Sequence, residues 1–483
     1  MTTLSRLTRS TSLRAMSRTA GQFLFWVGLL AAVLTRGAVT PLALNGSAML
    51  IGLSAGLAVL SPPAEPQARR SLHAAMALVA LLTAYLLFQS LSFDGNPFAN
   101  SIWLEAAGLV GPLADDMANA ISISPAATHS AVAMLAMPFV VYIAALALFP
   151  DDKSALRLLG GLTAIGAGFA FFGLMQVSWL RDSLLFYPKT AYLDSLTGVF
   201  VNRNTAGTFL GVASLVGLTL AVSRIRRVHG PRPLSTFFSD ARLSGYGGLL
   251  FVSAMVLCLL AVFLTKSRGA MFATALAYLF VVPSLTVSRL DRAGQEGQED
   301  KAASTRRLLK RFAVSALVIA AVVAIFGGQA IARMEARGLD VARLCVYAAT
   351  ADMVRDNWLF GTGFGTFDLA LPAYRRPDCG TAYDVYLRAH NSFLEGLAGL
   401  GILFVPVTLF VYRHVLRNLV LGIRERRRQR HVPLIAIGGV ILVTLHALVD
   451  FSLQIPGMAA YLAAYLAAAT TISLGRRAGA ERL

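Results

Sequence analysis

The chain has 483 residues, of which 56% are hydrophobic and 14% charged, and its mean hydropathy is +0.64. A soluble domain carries roughly a quarter charged residues, so this composition excludes an ordinary water-soluble enzyme. The formal net charge of +18 sits in clusters between long apolar stretches, a pattern that fits membrane topology and not a nucleic-acid surface.

About twelve stretches approach the roughly 20 apolar residues that cross a bilayer core as a helix. Only helices satisfy their own backbone groups there without a closed barrel. In chain order they are Gly21–Thr35, Val39–Leu60, Leu72–Leu91, His129–Phe149, Ser154–Gln176, Thr205–Val222, Gly247–Leu264, Gly269–Val287, Phe312–Ile331, Phe393–Tyr412, Pro433–Val449 and Gly457–Leu474. The first is short and follows Arg6, Arg9, Arg14 and Arg18 in the manner of a signal peptide. With eleven spans behind it, an uncleaved helix is the expectation. The fold class expected is therefore an all-α polytopic membrane protein, one integral membrane domain over residues 1–483.

Orientation follows from charge. With the N-terminus inside, roughly 30 of the 43 Lys and Arg residues fall in inner segments, the asymmetry of the positive-inside rule. Runs such as Arg306-Arg307 and Arg426-Arg427-Arg428 are read as topogenic. Both termini are then expected on the cytoplasmic side. Three outer segments are long: Phe93–Thr128, Val177–Asn204 and Ala332–Ser392. The last, residues 332–392 between spans nine and ten, is the expected catalytic loop, because long loops in compact proteins are usually functional. Within it, Leu344, Tyr347, Ala348, Ala351 and Val354 recur at helical spacing, which predicts an amphipathic helix over Val341–Trp358. The Gly361-Thr-Gly363-Phe-Gly365 run that follows lacks a preceding strand and reads as a glycine turn, not a phosphate loop.

Cys258 lies inside a span and reads as a packing residue. Cys345 and Cys379 share the large outer segment; an oxidising compartment permits a disulfide, and spacing leaves both states open. No Cys/His spacing suggests zinc and no paired carboxylates suggest a divalent cation. Among the histidines, His390 stands at the expected outer face, with Arg388 before it, Asn391 after it and Glu395 one turn into the next span. Imidazole is the obvious proton acceptor near neutral pH, although a histidine at a membrane edge is more often structural. Arg268 closes the short connection from Thr265, Arg203 directly precedes span six, and Arg343 lies on the predicted loop helix. These arginines either converge on a phosphate, which suits planar guanidinium forks, or each snorkels to lipid headgroups on its own.

The segment Leu339–Gly401 resembles the O-antigen ligase and polymerase superfamily. The resemblance rests on Asp352-Met-Val-Arg-Asp-Asn-Trp358, Leu359-Phe-Gly-Thr-Gly-Phe-Gly-Thr-Phe367, Pro372-Ala-Tyr374, His390-Asn-Ser-Phe-Leu-Glu395 and Gly399-Leu-Gly401. Gly198-Val-Phe-Val-Asn-Arg-Asn204, Ser267-Arg-Gly-Ala270 and Leu448-Val-Asp-Phe-Ser-Leu-Gln-Ile-Pro456 extend it to most of the chain. It implies a metal-independent, inverting glycosyltransferase without a cofactor. The donor would be a glycan on undecaprenyl pyrophosphate, and the acceptor a hydroxyl of lipid A core or of another glycan. His390 would be the base or would orient that hydroxyl. Arg268 and Arg343 would hold the pyrophosphate, with Arg203 and Arg388 as further candidates and Asn391 and Glu395 in support. A ligase acting on lipid A core is favoured over a polymerase or a protein glycosyltransferase. Membrane lipids are expected partners and nucleic acid is not. A transporter or flippase is the alternative from another class. Charges near mid-span and an internal repeat, which transporters often show, are not evident here.

Overall fold

The computed structural model describes residues 2–60, 62–111, 117–229, 245–293, 313, 341–377, 379, 386–426 and 428–475. Their helices are α1 (Thr2–Leu34), α2 (Pro41–Val59), α3 (Pro66–Ser90), α4 (Ile102–Val110), α5 (Pro125–Leu148), α6 (Asp152–Ser178), α7 (Arg203–His229) and α8 (Gly245–Leu264). They continue with α9 (Arg268–Ala293), α10 (Val341–Asp356), α11 (Phe367–Ala370), α12 (Ser392–Leu400), α13 (Phe404–Glu425), α14 (His431–Ala447) and α15 (Pro456–Leu474). Among the described residues the only β feature is an isolated bridge between Ser183 and Pro188. The all-α class is as expected.

Among the described residues, ten helical segments are long and apolar enough to cross a membrane, and α14 is a shorter apolar helix. Every predicted span has a helical counterpart except the ninth, Phe312–Ile331, which lies outside the described residues apart from Ala313. The chain is a multi-pass membrane protein. Local chemistry sets several starts: proline occupies the first turn of α2, α3, α5 and α15, where its missing N–H costs nothing. At α6 the Asp151 carboxylate accepts from the Ser154 amide while the Ser154 hydroxyl answers the Asp151 amide, a reciprocal cap.

Two helices form the centre. The spans of α7 and α15 are 94% buried inside the protein, against 22% for α2. Tyr461 and Tyr465 of α15 are wholly enclosed. Between α7 and α9 the approach is set by small residues, as helix contacts in lipid usually are. A Cβ on Gly207 would stand 2.5 Å from that of Ala270, and one on Gly211 would stand 2.5 Å from the Thr274 hydroxyl. That contact brings the first turn of α7 beside the first turn of α9.

Two expectations need correction. The tenth span is not one helix over Phe393–Tyr412. Helix α12 stops at Gly401, whose φ is +60°; a short 3-10 turn follows, and α13 carries the crossing to Glu425. A Cβ on Gly401 would lie 2.4 Å from the Leu359 carbonyl oxygen, so the break is fixed by close packing of two backbones, which hydropathy does not register. The predicted loop helix exists as α10, but a different stripe is covered. Cys345, Val346, Ala349, Thr350 and Met353 are buried, whereas Leu344 is 51% exposed. Both stripes are apolar in sequence, and packing against Phe367, Leu371, Ala389 and Ala398 selects between them.

Candidate active site

The glycine run is a structural spacer. Gly361, Gly363 and Gly365 all have positive φ, and a Cβ on Gly363 would fall 2.3 Å from the Ser122 hydroxyl. The Thr362 amide donates to the Ala398 carbonyl at 2.8 Å. From α3, the Gln89 amide nitrogen donates to the carbonyls of Phe360 (2.7 Å) and Gly399 (2.8 Å). These bonds fix α12, and with it the residues that lead into it.

His390 sits at that entrance. Its φ is +55°, a conformation uncommon outside glycine, and the surroundings hold it there. Tyr347 on α10 donates its hydroxyl to the His390 carbonyl at 2.9 Å. Asn391 caps α12, its side-chain oxygen accepting from the amides of Phe393 and Leu394. Ser392 donates to the Asp450 carbonyl at 3.0 Å. Glu395, almost wholly buried, accepts from Arg388 at 3.1 Å and from the Ala389 amide at 2.7 Å. Asn391 and Glu395 thus fix the backbone on either side of His390. Strain of this kind persists where the surroundings over-determine it, often at functional positions.

The imidazole is packed edge-on against Phe451, with ring centres 4.8 Å apart, and lies near Tyr386. Its Nδ1 is buried, lacks a hydrogen-bond partner among the described residues, and faces the Asp450 carboxylate at 3.7 Å. That separation exceeds a hydrogen bond, and catalytic contacts often tighten only with substrate in place. Asp450 is fully buried in the connection between α14 and α15. Asn204 donates to it at 3.0 Å and so does the Ser452 hydroxyl. Burial alone would raise this carboxyl; His390, the nearby His446 imidazole, Ser452 and Asn204 outweigh it and hold the group below the ordinary carboxylate range. Asn204 is held in turn by Ser267, 2.8 Å away, and Thr208 ties His446 (2.6 Å) to Ser452 (3.0 Å). Four segments far apart in sequence, those of Asn204, Ser267, His390 and His446–Ser452, therefore join in one network around this carboxylate.

The arginines divide. Arg343 reaches from α10 toward the Val449 carbonyl at 3.5 Å, beside Asp450. Arg268 is exposed at the head of α9, immediately after Ser267. The next residue, Gly269, lies against the His446 ring. Arg203 heads α7 next to Asn204, its guanidinium 5.1 Å above the Tyr192 ring. Arg388 is engaged by Glu395 and anchors the loop to α12. Two helix N-termini, those of α7 and α9, thus meet at this face, and such termini favour anions.

Residues 253–405 match the family model described as O-antigen ligase. That stretch of the chain is similar to the O-antigen ligase family. The match supports the superfamily resemblance, and it embraces Arg268, Arg343 and His390. Asp450 and Asn204 lie outside it, so only the folded chain joins them to the matched residues. A comparison with curated proteins gives no match.

Within the matched residues, Cys345 on α10 is bonded to Cys379, which settles the open question of their state. The bond closes a chain separation of 34 residues, for which chain entropy gives a stabilisation of about 3–4 kcal/mol. Replacing both cysteines by serine should increase amide exchange in α10 and lower the unfolding temperature; unchanged protection of α10 would show that packing alone holds it.

Asp450 was not singled out from sequence, although it stands inside the quoted Leu448–Pro456 string. The available signal was that it is the one acidic residue in a short connection between two apolar spans.

Proposed function

We propose that this protein moves a glycan from undecaprenyl pyrophosphate to an acceptor hydroxyl at the periplasmic face of the bacterial inner membrane, as a ligase acting on lipid A core. The family match supports a transferase of the ligase or polymerase type acting on lipid-linked glycans. The observation that carries the finer reading is the pairing of His390 with a buried carboxylate beside guanidiniums and helix N-termini.

The chemistry follows from that arrangement. The exposed edge of the His390 ring takes the acceptor proton as the acceptor oxygen attacks the anomeric carbon. The bond from that carbon to the pyrophosphate oxygen breaks, and its electron pair leaves with the pyrophosphate. Attack from the side opposite the leaving group inverts the anomeric centre. The imidazolium that forms is balanced by Asp450, as buried aspartates do behind catalytic histidines elsewhere. Arg268 and Arg343 neutralise charge that grows on the leaving group, where fixed positive groups contribute most. Arg203 lines the rim, and Arg388 shapes the loop through Glu395.

A nearby groove supports this reading. Between α3, α5, α12, α13 and α15 runs an apolar groove of about 330 Å³, lined by side chains such as Leu82, Met134, Phe393, Val411 and Leu462. Ser392 and Gln454 stand at the end next to His390, so a prenyl chain lying there would present its pyrophosphate toward the arginines.

Arg268→Lys should lower transfer about 10- to 100-fold, less than the 10²–10³ that follows loss of a complete transition-state donor, since a point charge replaces a fork. Single-turnover rates with purified lipid-linked donor measure this, and a rate within twofold of wild type would remove Arg268 from the site. The function itself is tested in a deletion strain by gel profile of envelope polysaccharide alongside the lipid-linked glycan pool. Core without repeats, with long glycan held on the carrier, establishes a ligase. Core bearing a single repeat, with short carrier-linked units, establishes a polymerase and overturns the acceptor assignment. Unaltered polysaccharide and carrier pools overturn the reading as a whole.

A further inference from the structure

At the end of the bundle away from His390, α6, α7 and α8 enclose a second pocket of about 410 Å³. Arg224 lies 21 residues along α7 from Arg203, roughly 30 Å at helical rise, and so marks the opposite membrane face. The rim carries Lys153, Arg157 and Arg224, and the apolar lining includes Leu156, Leu220 and Phe251. Lys153 and Arg157 are one turn apart on α6, where like charges repel. Arg224 comes from α7 and sits 6.0 Å from the Phe251 ring.

Nothing in the described protein neutralises these three cations. The two carboxylates at the start of α6 are committed elsewhere: Asp151 caps the helix and Asp152 pairs with Arg426. Ser223, also at the pocket, is bonded to His431 at 2.7 Å. The lining continues toward the lipid. A Cβ on Gly160 or on Gly168 would meet nothing within 4 Å, and Ala164, Gly168 and Phe171 are exposed along the same stripe of α6. Positive rim, apolar floor and an exposed small and apolar stripe along α6 together match an amphiphile with an anionic head.

We propose that this pocket binds the phosphate headgroup of an anionic phospholipid from the leaflet opposite the His390 site, with an acyl chain lying along α6. Basic pockets between spanning helices at the inner face hold such headgroups in other membrane proteins. The bound lipid would relieve the repulsion of Lys153 and Arg157 and join α6, α7 and α8 at that face. The proposal does not depend on the transfer reaction.

The test is native mass spectrometry of the full chain titrated with phosphatidylglycerol, with phosphatidylcholine or with inorganic phosphate. Phosphatidylglycerol should be retained preferentially, and Arg157→Gln/Arg224→Gln should reduce that retention about 10- to 30-fold, as loss of two headgroup contacts implies. Equal retention of the two lipids, or no change in the double variant, would overturn the proposal. Phosphate competing fully with the lipid would assign the pocket to the free anion instead and overturn the lipid assignment. Should the double variant fail to fold, photo-crosslinking of wild type with a headgroup-reactive phosphatidylglycerol decides. Labelling within residues 153–160 or 220–224 supports the site, and labelling confined to other segments overturns it.

Discussion

Replacing His390 by alanine should abolish glycan transfer while the protein still inserts and folds. General-base assistance contributes about 10²–10⁴-fold in rate. His446, which shares the network around Asp450, is 2% exposed and bonded to Thr208, so it is poorly placed to take over that role. The backbone needs a control. His390 has φ +55°, which alanine adopts poorly, whereas asparagine tolerates it better. His390→Asn should therefore keep wild-type thermal stability and share the loss of activity. Transfer is measured with purified lipid-linked donor in proteoliposomes, and stability by thermal unfolding in the same detergent. A His390→Asn protein that transfers at near-normal rates would end the proposed mechanism.

The second large effect is expected at Asp450. In Asp450→Asn the new amide nitrogen or oxygen must face donors from Asn204 and Ser452 that now serve a carboxylate. One buried donor then loses its acceptor, at a cost of about 1–3 kcal/mol. Activity should fall about 10²–10⁴-fold, because the charge that balances the His390 imidazolium is gone. The fall belongs in kcat, with KM little changed, since Asp450 is walled off from substrate. A pH effect accompanies it. The folded-state value of this carboxyl is depressed, so its contribution to stability is complete above about pH 4, the unfolded aspartate value. It is lost as pH falls through the lower folded value. Acid unfolding of Asp450→Asn should lack that component. A variant with unchanged kcat and the wild-type acid profile would reduce Asp450 to a packing residue.

The pair formed by Arg388 and Glu395 illustrates how position and role separate. In sequence Arg388 is a cation two residues from the candidate base, as well placed for pyrophosphate as Arg343. In the fold it bonds a carboxylate that is 7% exposed, and removing one partner of such a pair leaves an uncompensated buried charge. Arg388 holds the loop against α12 through Glu395, whereas Arg343 is directed at the Val449 carbonyl beside Asp450.

Hydropathy and charge by themselves determined the class of this protein. The helices that match the spans from Gly21–Thr35 to Gly269–Val287 and from Pro433–Val449 to Gly457–Leu474 follow from one physical fact: lipid admits only apolar helices of a fixed length. The helix over Val341–Asp356 and the turn at Gly361–Gly365 were equally legible, because helical period and glycine spacing are local properties. Tertiary structure decided the rest. The break at Gly401 depends on contact with the Leu359 backbone, the covered stripe of α10 on what packs against it, and the Cys345–Cys379 bond on where the chain returns. Above all, Asn204, Ser267, His390 and Asp450 meet through the packing of α7, α9, α12 and the α14–α15 connection. Residues separated by as many as 246 positions carry no shared local signal. Their polar network exists only because glycine contacts let those helices approach, and burial then obliges each polar group to find a partner.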